Sequence, residues 1–105
     1  MMSTVRFTLN SARISDMEMV NVYNTAEYLK ANPDLKVVIA GYADKDTGTS
    51  DYNMSLSKRR AEAVKKVLVK RYGISADRIQ AEGMGIGDLF EENSWNRVSV
   101  CTVNE

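Results

Sequence analysis

The first residues alternate in polarity, which predicts a strand. Val5, Phe7 and Leu9 are apolar and the residues between them are polar, the pattern of a strand with one buried face. Residues 14–31 then repeat apolar side chains at helical spacing, after serines at positions 11 and 15 that can cap a helix. Because Pro33 cannot continue a helix, we predict that this helix ends near residue 31.

The middle of the chain predicts a buried strand, a polar loop and a second helix. Leu35–Ala40 is almost continuously apolar, which is typical of a central strand buried on both faces. Because a helix leads into it, we expect a β-α-β unit with parallel pairing. Residues 41–53 are polar and long for a connection, as functional loops often are. A second helix is predicted from Met54 to Arg71, with Gly73 beyond its end.

Two more strands complete the predicted order. Arg78–Glu82 and Trp95–Val103 have strand character, and the glycines of residues 83–87 predict a flexible turn region between them. The resulting order is β-α-β-α-β-β. Because the chain has no internal repeat and no linker, residues 1–105 are predicted to form a single domain.

Composition excludes several classes of function. The 14 basic and 14 acidic residues cancel, which argues against nucleic acid as a partner. No run approaches the ~20 apolar residues of a membrane span, and the first four residues lack the pattern of a signal peptide. The chain is therefore either cytoplasmic or a domain cut from a larger exported protein.

The residue types needed for common catalytic and metal sites are missing. The sequence has no histidine and one cysteine, Cys101. Ser-His-Asp and Cys-His catalysis, histidine metal sites and an internal disulfide are therefore excluded. No pair of carboxylates has a recognisable catalytic spacing. We predict a protein that is not an enzyme and that has neither a metal ion nor a cofactor.

One arginine falls on the apolar side of the second predicted helix. On a helical wheel with Leu56 at 0°, Val64 lies at about 80° and Arg60 at about 40°, inside the apolar stripe. Arg59 lies at about 300°, outside it. A buried guanidinium is costly unless it has a partner, so Arg60 is expected to have one.

The polar loop offers acidic partners for Arg60, and their presence supports two interpretations. The candidates are Asp44, Asp46 and Asp51. In the first interpretation, a buried ion pair ties the loop to the helix. In the second, an aspartate binds an ammonium group and the arginine binds a carboxylate, so that the pair holds an amino-acid-like ligand.

Many spaced positions resemble one family, the OmpA-like peptidoglycan-binding domain. They are Gly41-Tyr42-Ala43-Asp44, Gly48, Asn53, Leu56-Ser57, Arg60-Ala61, Val64, Gly73-Ile74, Ala76-Asp77-Arg78-Ile79, Gly83-Met84-Gly85 and Asn96-Arg97-Val98. The resemblance covers nearly the whole chain and agrees with the predicted element order. It implies an α+β fold, a two-layer sandwich of a mixed sheet with the helices on one face.

The resemblance also implies a ligand. In such domains an aspartate binds the free amine of the meso-diaminopimelate residue of the peptidoglycan stem peptide, and an arginine binds its carboxylate; by position these are Asp44 and Arg60. Further positions shape, line or close the pocket, and here they are Asn53, Leu56, Ser57, the backbone at Thr47 and Gly48, and the segment near Arg97.

The chain departs from the family pattern around this site. Ala43 stands where threonine is usual, and one extra residue between Asp44 and Gly48 makes Asp46 a rival for the amine. The segment between residues 87 and 96 is short, and Arg97 is the one arginine that remains there.

The function implied by the resemblance is non-catalytic binding of peptidoglycan, which anchors an outer-membrane protein or lipoprotein to the cell wall. The implied location is the periplasm, with attachment to the outer membrane through a preceding part of a larger protein. The departures motivate an alternative, a degenerate domain that acts as a structural, protein-interaction or dimerisation module. A homodimer is therefore also a possible assembly.

Overall fold

The elements follow the predicted order. The structure, a computed structural model, describes residues 1–45 and 48–104. The elements are β1 (Met2–Arg6), α1 (Asp16–Ala31), β2 (Val37–Ala43), α2 (Ser50–Lys70), β3 (Ile79–Ile86) and β4 (Val98–Val103), with short 3₁₀ helices at Ala76–Arg78 and Asn93–Asn96. The predicted β-α-β-α-β-β order is confirmed.

The four strands form one mixed sheet in the order β1-β4-β2-β3. β2 pairs with β3 in parallel, and β4 is antiparallel to both β1 and β2. The prediction that the first two strands pair was wrong, because the last strand inserts between them. The parallel β-α-β pairing occurs one unit later, in β2-α2-β3.

Both helices pack on one face of the sheet and enclose the core. Alternate residues of β2 and β4 point to this face, where Ile39 lies opposite Cys101 in the ladder. The main apolar side chains buried between the layers are Val5, Val22, Ala26, Leu29, Val37, Ile39, Ala61, Val64, Leu68, Cys101 and Val103. Burial raises the pKa of the Cys101 thiol to about 12, because a thiolate is disfavoured in apolar surroundings. The predicted α+β sandwich with its helices on one face is confirmed.

The second face of β2 is more open than predicted. Val38 and Ala40 are only partly buried, and their ladder partners on β4, Thr102 and Val100, are also only partly buried. The prediction of a strand buried on both faces was wrong, because both helices lie against the other face. The continuous apolar run therefore does not indicate burial on two sides here.

The glycines at residues 83 and 85 lie within β3, so the prediction of a turn there was wrong. The cause is the close passage of α2 over the sheet. A Cβ atom on Gly41 would lie 2.0 Å from the carbonyl oxygen of Ser57, and one on Gly83 would lie 2.6 Å from the amide nitrogen of Lys58. These glycines therefore let the helix backbone approach the strands.

Hydrophobic periodicity misplaced some element ends. Helix α2 begins at Ser50, four residues before the predicted Met54, and the side chain of Thr49 caps it by accepting a hydrogen bond from the amide of Tyr52 at 3.2 Å. Ser50 and Asp51, at its start, are polar and exposed, so the beginning of the helix has no apolar stripe to detect. The connection between β2 and α2 is therefore shorter than the predicted polar loop of residues 41–53. The serine cap of α1 is confirmed at Ser15.

We predict that Gly41→Ala lowers the free energy of unfolding by at least about 2 kcal/mol, because its Cβ would overlap a helix backbone that cannot move alone. The measurement is equilibrium denaturation in urea. Gly73→Ala is the control, since Gly73 has a φ of +71° but open space around it and should lose only about 1 kcal/mol. Equal losses for the two variants would contradict the close-approach argument.

Candidate functional site

The candidate site lies at the C-terminal end of β2, where charged side chains are buried. Asp44 directly follows the strand and is fully buried. Its carboxylate forms an ion pair with Nε of Arg97. The Arg97 side chain is 24% exposed and that of Asp44 is 1% exposed, so the carboxylate is enclosed and its partner reaches the surface.

Sheet register explains why Arg97 lies beside Asp44. Gly41 pairs with Ser99 in the antiparallel β2–β4 ladder, so continuing that register places Arg97 near the end of β2. The Arg97 backbone is anchored, because its carbonyl accepts a hydrogen bond from the amide of Phe7 at 2.7 Å. The pairing thus depends on the position of β4 next to β2.

The residue before Arg97 fixes the short connection into β4. The side-chain oxygen of buried Asn96 accepts hydrogen bonds from the amides of Leu89 and Phe90, both at 2.9 Å, and its amide nitrogen donates to the Phe90 carbonyl at 3.1 Å. The backbone of Arg97 therefore begins from a rigid support, while its side chain extends into the site.

Arg60 is buried beneath the same end of the sheet, as the helical wheel predicted, whereas Arg59 is exposed. The Arg60 guanidinium donates hydrogen bonds to three main-chain carbonyls: Nε to Ser11 at 2.8 Å, Nη1 to Tyr42 at 2.9 Å and Nη2 to Thr8 at 3.1 Å. The guanidinium carbon also lies 5.3 Å from the centre of the Phe7 ring.

For Asp44 and Asp51, the interpretation of Arg60 as one half of an ion pair with a loop aspartate is corrected by these contacts. In the described part of the chain, the ion-pair partner of Asp44 is Arg97, and Asp51 is exposed in the first turn of α2. Asp46 lies outside the described residues. Main-chain carbonyls from the segment between β1 and α1 and from the end of β2 satisfy Arg60 instead.

One of those oxygens lies at the end of β2, opposite an irregularity in β3. The β2–β3 register shifts there, because the steps from Gly83 to Ile86 on β3 face the shorter stretch from Gly41 to Ala43 on β2 and leave the extra residue on β3. Tyr42 has no Cα partner in the described ladders of β2, and its carbonyl accepts the hydrogen bond from Nη1 of Arg60. The other two carbonyls come from the segment between β1 and α1, so Arg60 joins that segment to the end of β2.

The electrostatics of the three charged residues favour a ligand with both signs of charge. Burial lowers the pKa of Arg60 to about 10, while Asp44 raises it and Arg97 lowers it further. Arg60 thus keeps its proton at neutral pH. One guanidinium, that of Arg97, pairs with the buried carboxylate, and a second, that of Arg60, is near enough for the carboxylate to raise its pKa. Such a cluster can bind an ammonium group at the carboxylate and an anion at a guanidinium.

The other predicted site residues divide into three groups. Asn53, Leu56 and Ser57 are buried on the side of α2 that faces the sheet. Gly48 is exposed, with a φ of +55°. Asp46 and Thr47 lie outside the described residues.

Ser57 has a structural role that the sequence did not indicate. Its hydroxyl donates to the Met54 carbonyl and accepts from the amide of Gly85, both at 2.8 Å. It thereby holds α2 to β3 beside the close approach at Gly83.

Two contacts in the site were missed by reasoning from the sequence: the Asp44–Arg97 pair and the carbonyl partners of Arg60. Residues 44 and 97 are far apart in the sequence, so no local pattern indicates that they are in contact. Only the strand order joins them. Within residues 1–45 and 48–104, no group of at least three histidine, cysteine, aspartate or glutamate side chains could hold a metal ion. Neither α1 nor α2, as described, is long and apolar enough to cross a membrane.

Comparison with known proteins identifies relatives along nearly the whole chain. The OmpA family model matches residues 6–99. The chain is 52% identical over 104 residues to "Outer membrane protein 40" of Porphyromonas gingivalis, covering 98% of this chain and 27% of that protein. It is 42% identical over 80 residues to "Peptidoglycan-binding protein ArfA" of Mycobacterium bovis, covering 76% of this chain and 23% of that protein. The chain thus spans about a quarter of the length of these relatives.

A solved structure agrees with the fold. The peptidoglycan-associated lipoprotein of Burkholderia pseudomallei superimposes with a TM-score of 0.85 at 28% sequence identity, over 96% of this chain and 89% of that one. The match confirms the two-layer architecture and the recognition of the family from spaced motifs.

We predict that Arg60→Lys lowers the free energy of unfolding by about 2–3 kcal/mol, because one ammonium cannot reach carbonyls on three sides and its buried charge loses hydrogen-bond partners. Urea denaturation measures the loss. Arg59→Lys, the exposed neighbour, is the matched control and should change stability by less than about 0.5 kcal/mol. If Arg60→Lys were as stable as the control, the carbonyl contacts would not matter for the fold.

Proposed function

Because this chain belongs to the OmpA family, we propose that it is a non-catalytic module that binds peptidoglycan through the meso-diaminopimelate residue of the stem peptide. In this proposal it anchors an outer-membrane protein or lipoprotein to the cell wall from the periplasmic side. Residues 1–105 act as one binding domain of a larger protein.

The single observation that supports the ligand most directly is the buried carboxylate of Asp44, which is paired with the Arg97 guanidinium and acts electrostatically on that of Arg60. The free end of a diaminopimelate residue bears an ammonium and a carboxylate on one carbon atom. Asp44 would accept hydrogen bonds from the ammonium, and a guanidinium would donate to the carboxylate. Burial strengthens both interactions, because fewer water molecules screen the charges.

The names of the relatives support the polymer and the location. One relative is called peptidoglycan-binding, one solved neighbour is a peptidoglycan-associated lipoprotein, and another relative is an outer membrane protein. The relatives are about four times longer than this chain, so we propose that the remaining part of the whole protein provides attachment to the outer membrane.

The other residues take supporting roles in this proposal. Asn53, Leu56 and Ser57 form the wall of α2 beside the site, and the backbone at Gly48 lines it; Thr47, for which the same role was expected, lies outside the described residues. Asp46 remains a rival to Asp44 for the ammonium group.

The expected affinity of one site is modest, because a single small zwitterion buries few contacts. Attachment becomes firm when many copies bind the same polymer. No turnover of the polymer is expected, since the chain has no histidine and no activated nucleophile.

We predict that Asp44→Asn reduces co-sedimentation with purified peptidoglycan sacculi at least about tenfold, because the amide keeps the size of the side chain but loses the charge that holds the ammonium. Asp34→Asn is the matched control. Asp34 is exposed and lies before β2, at the opposite end of the strand from Asp44, so this variant should bind as the wild type does.

Titration with a diaminopimelate-containing muropeptide distinguishes the proposal from the degenerate-domain alternative. Saturable binding by the wild type and its loss in Asp44→Asn support the proposal. A folded wild-type chain that does not bind at millimolar ligand would overturn it and leave a role in protein interaction or dimerisation.

A further inference from the structure

We propose that Arg97 occupies, in the free protein, the position that the ligand's ammonium takes in the complex, and that binding exchanges its partner from Asp44 to the ligand's carboxylate. Arg97 would thereby decide which amines the site accepts. This inference rests on the proposed function, because it describes how the same site selects its ligand.

The need for an internal partner follows from the burial of Asp44. Its side chain is 1% exposed, and a buried carboxylate without a counter-charge is strongly destabilising. The Arg97 guanidinium supplies that charge in the free protein. A ligand ammonium that approaches Asp44 must therefore compete with a cation that is already attached to the chain.

The two arginines differ in their freedom to move. Arg60 is held by carbonyls from Thr8, Ser11 and Tyr42, so its guanidinium cannot leave without breaking contacts to separate segments. Arg97 is anchored at its backbone by Phe7, while its side chain reaches the surface and pairs with Asp44 through Nε. Binding is therefore expected to move the side chain of Arg97 and to leave Arg60 in place.

This difference between the two arginines predicts that the site selects its ligand by the pattern of charges that the ligand bears. A simple amine that displaces Arg97 pairs with the Asp44 carboxylate, but the Arg97 guanidinium then has no anionic partner. A zwitterion with a carboxylate beside its ammonium gives that guanidinium a new partner, so the two displaced charges are both satisfied. The site should then prefer an amino-acid head group over an amine of the same chain length.

Two probes with the same spacing between their amines test this selection. They are meso-diaminopimelate and 1,5-diaminopentane, which has both amines and neither carboxylate. Binding to the full chain is measured by NMR titration of the wild type and of Arg97→Gln. We expect Arg97→Gln to weaken diaminopimelate about tenfold and to strengthen diaminopentane about fivefold, since it removes both the carboxylate partner and the competitor.

The exchange predicts that Arg97→Gln changes the affinities for the two probes in opposite directions. Weakening of both probes would mean that Arg97 only supports the shape of the site, and strengthening of both would mean that it competes without binding the carboxylate. Either result, or no change, would overturn the exchange. Arg13→Gln, at an exposed arginine outside the site, is the control and should leave both affinities unchanged.

Arg97→Lys is a second variant that tests the exchange if Arg97→Gln does not fold. It keeps the positive charge, so it should retain the preference for diaminopimelate, although with a smaller ratio than the wild type. A well-dispersed NMR spectrum is required of every variant. Loss of the preference in folded Arg97→Lys to the level of Arg97→Gln would count against an exchange based on charge.

A measurement without ligand separates the exchange from the proposed function. In the wild type, the Nε proton of Arg97 should exchange slowly with water, and Asp44→Asn should speed that exchange at least about tenfold, because a neutral amide is a weaker acceptor than a carboxylate. No change in this rate would overturn the exchange alone. A wild type that does not bind diaminopimelate would overturn the proposed function, even if the proton behaves as expected.

Discussion

The buried guanidinium of Arg60 is the contact on which the site end of the molecule depends. It donates to carbonyls of Thr8, Ser11 and Tyr42 and so joins the segment before α1 and the C-terminal end of β2 to one helix. A guanidinium shielded from water needs acceptors of this kind, because a buried charge without hydrogen-bond partners is costly. One side chain thus stabilises irregular structure from separate parts of the chain.

That arrangement leaves the remaining charges available for binding. Because main-chain oxygens satisfy much of Arg60, the buried carboxylate of Asp44 pairs with Arg97 instead. A fixed cation, a fixed anion and a cation at the surface then lie together at the end of β2. Arg60 and Asn96 hold the backbone around the site through their hydrogen bonds, and in the proposed exchange the side chain of Arg97 is the group that changes its partner.

Much of the fold could be predicted, since it follows from local pattern. The periods of 2 and 3.6 residues gave the element order, and the wheel placed Arg60 inside and Arg59 outside. The prediction failed at the start of α2, whose first residues are polar, and at Gly83, whose glycine reflects the nearby helix backbone rather than a turn. Local pattern cannot report a contact with a distant element.

The sequence by itself determined the order of elements, the family through its spaced motifs, and the identity of the charged residues at the site. Only the tertiary structure decided their partners. The placement of β4 between β1 and β2 brings Arg97 to Asp44, and the packing of α2 against the end of β2 brings Arg60 to the carbonyl of Tyr42. The physical reason is that a buried charged group needs a hydrogen-bond partner, and the sequence pattern predicts which charged group is buried. The partner itself is set by which distant backbone and side-chain groups the packing brings within hydrogen-bond distance.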